Sequence, residues 1–172
     1  MEAEVDELAV KILAHGAAPK DLRAIAISVK ISNDLERIGD EAGTIAESVI
    51  HLNKQSNWKV PFREEIVAMG EKACLLLREA IQAYSENDSS KAQQLISEDD
   101  QMDALNVFYQ KELVGMMQNN PESIARYLDL GIIVKRLERV ADHAINIAED
   151  ALLIGRSAKS PRIHQRNKVS FL

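Results

Sequence analysis

Eight carboxylates set out in four pairs are the residues of this chain best suited to chemistry: Glu2 and Asp6, Glu36 and Asp40, Asp99 and Asp103, Glu138 and Asp142. A spacing of four places both members of a pair on one face of a helix, where like charges weaken it by roughly 0.2–0.5 kcal/mol. Four carboxylates that converge without a thiol or imidazole suit cations with oxygen ligands, namely Mg, Ca, Mn or Fe. The other reading is a solvated acidic face, laced by Arg37 with Asp40 and by Arg139 with Asp142. A ferritin-like di-iron centre requires Glu-x-x-His on two helices, and no such motif occurs. His143 follows Asp142 but projects about 100° away from it on a helix, and reads as a packing or surface residue. There is no Gly-rich phosphate loop, no Gly-x-Ser-x-Gly and no Cys/His pair at a telling spacing, so a non-enzymatic protein is expected.

The elements that must position these acids follow from periodicity. Residues 2–14 carry Val5, Leu8, Ala9, Ile12 and Leu13 at helical spacing, with Gly16 as a stop. Pro19 opens a second helix that runs through Leu22, Ile25, Val29, Leu35, Ile38, Ala42, Ile45 and Val49 to about residue 51. Asn53 to Lys59 form a linker. A third helix after Pro61 uses Ile66, Met69, Ala73, Leu76, Leu77, Ala80 and Tyr84, and Cys74 reads as a core residue of it. Asp88 caps a fourth helix that continues to about 118, and Asn120 with Pro121 caps and starts a fifth that ends near 155. On a wheel with Glu36 at the origin, Asp40 and Glu47 fall within about 40° of it. The apolar arc of Ile31, Leu35, Ile38, Ala42, Ile45 and Val49 lies opposite, so the acids form a stripe away from the core.

Residues 31–47 return at 133–149, an offset of 102, with nine of the 17 positions identical. Self-similarity of this kind marks a duplicated unit. The first copy, 1–55, has two helices, whereas the second, 56–155, has three. A three-helix repeat lacking its first helix leaves an apolar flank, for which truncation of the chain at its start is the expected reason and cover by another chain the alternative. The fold expected is all-α: two similar antiparallel helical bundles of three-helix repeats, the first lacking its first helix. Within the second hairpin, Asp99 and Asp103 count back from Pro121 as far as Glu138 and Asp142 count forward, to within a turn. In the first, Glu2 and Glu36 count equally from Pro19, while Asp6 lies 13 residues before it and Asp40 21 after, so that match is looser.

Composition agrees. Aromatics are only 4% and Gly and Pro are scarce, which favours helices over sheets. The net charge is −6, yet the tail 156–172 holds five basic residues and no acid, leaving about −11 on the body. That argues against phosphate-backbone binding by the body. The basic tail could touch nucleic acid, acidic lipid or an acidic partner, but a disordered extension is the favoured reading and no nucleic acid is expected as partner. No apolar run is long enough to span a bilayer, and the acidic N-terminus is unlike a signal peptide, so the cytoplasm is the expected address.

Asp21-Leu22-Arg23, the run Lys30-Ile31-Ser32-Asn33-Asp34-Leu35-Glu36-Arg37-Ile38-Gly39-Asp40, and Ile45-Ala46-Glu47 together resemble the first-repeat signature of the PhoU family of phosphate-transport regulatory proteins. Leu137-Glu138-Arg139-Val140-Ala141-Asp142-His143-Ala144, with Asn146-Ile147-Ala148-Glu149, resembles its second. The resemblance implies two three-helix bundles side by side. It implies negative regulation of phosphate uptake and of phosphate-starvation signalling, through contact with the phosphate ABC transporter ATPase and the sensor histidine kinase. A homodimer that meets the membrane only through its partners is implied as well. So are iron or zinc clusters, or Mg or Mn, on the Glu/Asp-x-x-x-Asp motifs, carried over to the eight residues named first. Ala141 departs from the glycine found at Gly39, which predicts a wider backbone approach in the second copy. Rival readings are a PhoU-like regulatory domain of a different ion or phosphate transporter, or a carboxylate-rich metal-binding helical protein.

Overall fold

The computed structural model describes residues 2–16, 18–54 and 58–158, without the side chains of Glu2, Pro19, Lys20, Asp99 and residues 156–158. The basic tail from residue 159 lies outside the described residues. Six α-helices make up the fold, with no strand among the described residues: α1 (Glu2–Ala14), α2 (Pro19–Asn53), α3 (Arg63–Glu86), α4 (Ser89–Ile96), α5 (Asp99–Asn119) and α6 (Ile124–Ala158). At 35 residues each, α2 and α6 are rods of about 53 Å at 1.5 Å per residue.

Two boundaries differ from the periodicity. The long fourth helix is two helices, α4 and α5, separated at Ser97–Glu98. There the Ser97 hydroxyl donates to the Gln94 carbonyl at 2.6 Å, and the amides of Ser97 and Glu98 bond three residues back. A hydroxyl that competes for backbone carbonyls loosens the ladder, while Asp99 and Asp100 favour a fresh helix start. Pro121 opens a single 3-10 turn, Pro121–Ser123, before α6, and the Asn120 side chain makes no cap bond. Asp88 does cap: its carboxylate accepts from the amides of Ser90 at 3.0 Å and Lys91 at 3.1 Å.

α6 is the central element, packed against α2, α3, α4 and α5, while α1 packs on α2. Met69, Leu76, Met102, Leu113, Val134 and Ile147 fill the core between α3, α5 and α6. By contrast, α1 buries Ala9 and leaves Leu8, Val10 and Leu13 exposed. Cys74 is exposed too, correcting its assignment to the core, because the inward stripe of α3 runs through Ala73, Leu76 and Ala80.

The α2–α6 contact is a heptad seam. On α2 it runs through Ile27, Ile31, Asp34, Ile38, Glu41, Ile45, Ser48 and Leu52, alternating steps of four and three. Ala42 and Val49, expected in the core, are exposed. On α6 the positions 102 residues later continue the rule: Asp129, Ile133, Arg136, Val140, His143, Ile147, Asp150 and Ile154. One seam row is apolar and the other polar. Antiparallel pairing joins the polar rows. Asp34 accepts from His143 Nδ1 at 2.9 Å, Glu41 accepts from Arg136 at 2.9 Å and from Arg139 Nε at 3.0 Å, and Asp150 accepts from Lys30 at 2.9 Å. Asp34 becomes Arg136 at the repeat offset, and Glu41 becomes His143. The two bridges are therefore one contact seen from both sides of a pseudo-two-fold axis.

Candidate metal centre

The hairpin α5–α6 fixes the height of every residue on it. Gln110 Nε2 donates to the Gly131 carbonyl at 2.7 Å, and a Cβ at Gly131 would sit 3.2 Å from the Gln110 carbonyl oxygen. Glycine there leaves room for the Gln110 side-chain amide to reach the α6 backbone. Seven residues along in opposite directions, Asp103 and Glu138 come level, as antiparallel rods with a common origin must. One more turn on α6 brings Asp142 to the same place. The carboxylates of Asp103, Glu138 and Asp142 each offer an oxygen within 4.8 Å of the others, the one such group among the described residues. Ligands about 2.0–2.6 Å from a cation place opposing oxygens about 4–5 Å apart, so one ion fits between these three.

The members differ in setting. Asp103 is exposed and Asp142 half-buried, whereas the Glu138 side chain is only 6% exposed. An ionised carboxylate that far from water must be paired. Lys135, one turn back on α6, supplies the charge: its Nζ lies 2.7 Å from Glu138 Oε1 and 2.6 Å from Oε2. Asp99 stands level with Asp142 by register, but its side chain lies outside the described residues, as does that of Glu2. Three carboxylates without nitrogen or sulfur fit Mg, Mn, Ca or ferrous iron better than zinc, whose structural sites draw on Cys and His.

The first copy presents a different surface. Glu36, Asp40 and Asp6 are all exposed and form no such group among the described residues. Asn33 stands where the second copy has Lys135. Gly39 has open space around its Cβ position, while Ala141 is buried against neighbours, so the glycine of the first copy serves no closer backbone approach. His143 is a buried packing residue held by Asp34, outside the carboxylate group.

Buried acids that pattern reading passed over are Asp34, Glu41 and Asp150. They occupy seam positions beside apolar residues, and the strict seven-residue recurrence of Ile31, Ile38, Ile45 and Leu52 is the signal that locates the seam. Lys30, bonded to Asp150, has its ammonium pKa raised, first by that hydrogen bond. Among the described residues, no helix is long and apolar enough to cross a membrane.

The chain matches the family described as PhoU domain over residues 1–49 and 66–151. It is 35% identical over 150 residues to the phosphate-specific transport system accessory protein PhoU homolog of Pseudomonas aeruginosa, covering 87% of this chain and 62% of that one. The homolog of Clostridium acetobutylicum is 29% identical over 156 residues, covering 90% of this chain and 70% of that one. The crystal structure of PhoU from Pseudomonas aeruginosa superposes with a TM-score of 0.83 at 34% identity, covering 91% of this chain and 75% of that one. The phosphate transport system regulatory protein PhoU from Streptococcus pneumoniae gives a TM-score of 0.80 at 28% identity, covering 89% of this chain and 71% of that one. The chain spans about two thirds of the length of the curated relatives it matches.

Proposed function

The chain belongs to the PhoU family, and from that premise we propose that it is the accessory regulator of a phosphate transport system, acting by binding rather than by catalysis. It restrains phosphate uptake and phosphate-starvation signalling from the cytoplasmic side, through contact with the transporter's ATPase subunit and with the sensor kinase, as a homodimer. The observation that carries the reading is the family match over both copies of the duplicated stretch, 1–49 and 66–151. Relatives matched over 87% and 90% of the chain are named as phosphate-specific transport system accessory proteins.

The second copy supplies the metal half of the proposal. Asp103, Glu138 and Asp142 would hold a hard divalent cation, and Asp99 stands level with them. Such an ion would tie α5 to α6 and cancel repulsion among the acids. This chain's own part is to hold Glu138 charged in a buried position and to keep α5 close through Gln110 on Gly131.

Deleting the gene in its host and measuring phosphate uptake with starvation-gene expression tests the regulatory role. Raised uptake and derepressed expression in phosphate-rich medium, both reversed by the wild-type gene, are expected. Unchanged uptake and expression would overturn the role and favour regulation of a different transporter.

A further inference from the structure

Resting on the metal reading of Asp103, Glu138 and Asp142, we infer that Lys135 is the resident counter-ion of that centre and competes with the incoming divalent cation for Glu138. Its ammonium straddles the carboxylate, 2.7 Å from one oxygen and 2.6 Å from the other, so neither oxygen faces the cluster unshared. A carboxylate held in this way cannot chelate a metal with both oxygens while the lysine remains. The ion and the ammonium are also like charges a few ångströms apart, in a place where Glu138 is nearly shut off from water.

The ammonium has somewhere to go. Lys135 is 49% exposed and lines a groove of about 350 Å³ between α5 and α6, with Gln110, Gly131 and Ile132 among its walls. The groove also carries Arg136 and Arg139, which are tied to Glu41. Lysine is a flexible point charge on a four-carbon stem, so it can leave Glu138 without moving the backbone. Metal entry then releases a cation from the acid cluster to the groove beside the α2–α6 seam. The charge presented there depends on whether the centre is loaded. The first copy has Asn33 at this position and lacks the device.

The experiment is calorimetric titration of the full chain with Mn²⁺ at low ionic strength. Lys135→Met should tighten Mn²⁺ binding by about 10- to 100-fold, since a positive charge a few ångströms away is removed from a partly desolvated site. A lysine with only a structural role would weaken binding when removed. Lys135→Gln serves as a second variant, with circular dichroism reporting the fold of each. Lys111→Met, removing the same charge from the exposed face of α5, should leave affinity within about two-fold because distant surface charges are screened. Glu138→Gln with Asp142→Asn tests the centre itself. If that pair binds Mn²⁺ as wild type does, the centre is wrong. If it loses binding while Lys135→Met and Lys135→Gln match or fall below wild type, the centre stands and the counter-ion inference is overturned.

Discussion

Residues 31–47 on α2 and 133–149 on α6 share nine of 17 side chains, yet the Glu-x-x-x-Asp pair on each ends in a different setting. Glu36 and Asp40 lie exposed on α2. Glu138 and Asp142, at the same places in the second copy, lie against α5, with Glu138 buried and Asp103 beside them. What differs is the third element. α5 packs on α6 in register and brings Asp103 up to Glu138 and Asp142, while the described α1 leaves Glu36 and Asp40 open. An identical motif therefore becomes part of a three-carboxylate cluster or an open surface according to its neighbour. The opposite faces of the same two helices are alike in both copies, because each serves as the other's partner in the seam.

The largest effect is expected at the seam. Replacing both Arg136 and Arg139 by Met leaves the Glu41 carboxylate buried without a partner, which should cost about 3–5 kcal/mol. Arg37→Met, at the exposed first-copy counterpart of Arg139, should change stability by no more than about 0.5 kcal/mol. Urea unfolding of the three proteins checks the contrast, and equal losses would remove the asymmetry.

Next in size is metal binding. Asp103→Asn together with Asp142→Asn should weaken Mn²⁺ binding by at least about 100-fold, equivalent to about 2.7 kcal/mol, whereas Glu36→Gln with Asp40→Asn should leave it within about two-fold. Equilibrium dialysis of both pairs reads this directly.

Capping offers a smaller test. α4 starts with a bonded Asp88 cap, whereas α2 starts after Ala18, which is extended and has no cap bond. Asp88→Ala should destabilise by about 1 kcal/mol, and Ala18→Asp should stabilise by a similar amount. Thermal unfolding should move in opposite directions for the two.

The smallest effect concerns Lys30 and Asp150, a pair whose counterparts at the repeat offset are Ile132 and Ser48. The raised pKa of Lys30 means the folded chain holds its proton more tightly than the unfolded chain. Its stabilisation is therefore fully present below the unfolded lysine pKa near 10.5, and is lost as pH rises through the higher folded value. Lys30→Met should flatten the loss of stability above that pH without changing its slope near neutrality, as followed by unfolding across the alkaline range.

Much of the fold could be read from periodicity and punctuation. Pro19, Asp88 and the 102-residue repeat placed the rods, and counting outward from Pro121 placed Asp103 level with Glu138. Two features could not be read that way. A wheel with one apolar arc assumes one buried face, but α2 and α6 bury a seam whose polar row, Asp34 and Glu41 against His143 and Arg136, looks like surface until its partner helix is known. The break at Ser97–Glu98 was hidden because Leu95, Ile96 and Met102 continue a helical rhythm across it. Glu138 illustrates the same limit: Lys135 stands one turn back on α6, but the burial of Glu138 depends on α5, which no spacing within α6 reveals.

The most direct test of the central claim is the anomalous difference map of crystals grown with Mn²⁺. The strongest peak is expected between Asp103, Glu138 and Asp142, with no peak of comparable height on Glu36 and Asp40. A peak on Glu36 and Asp40 with none on α5–α6 would contradict it.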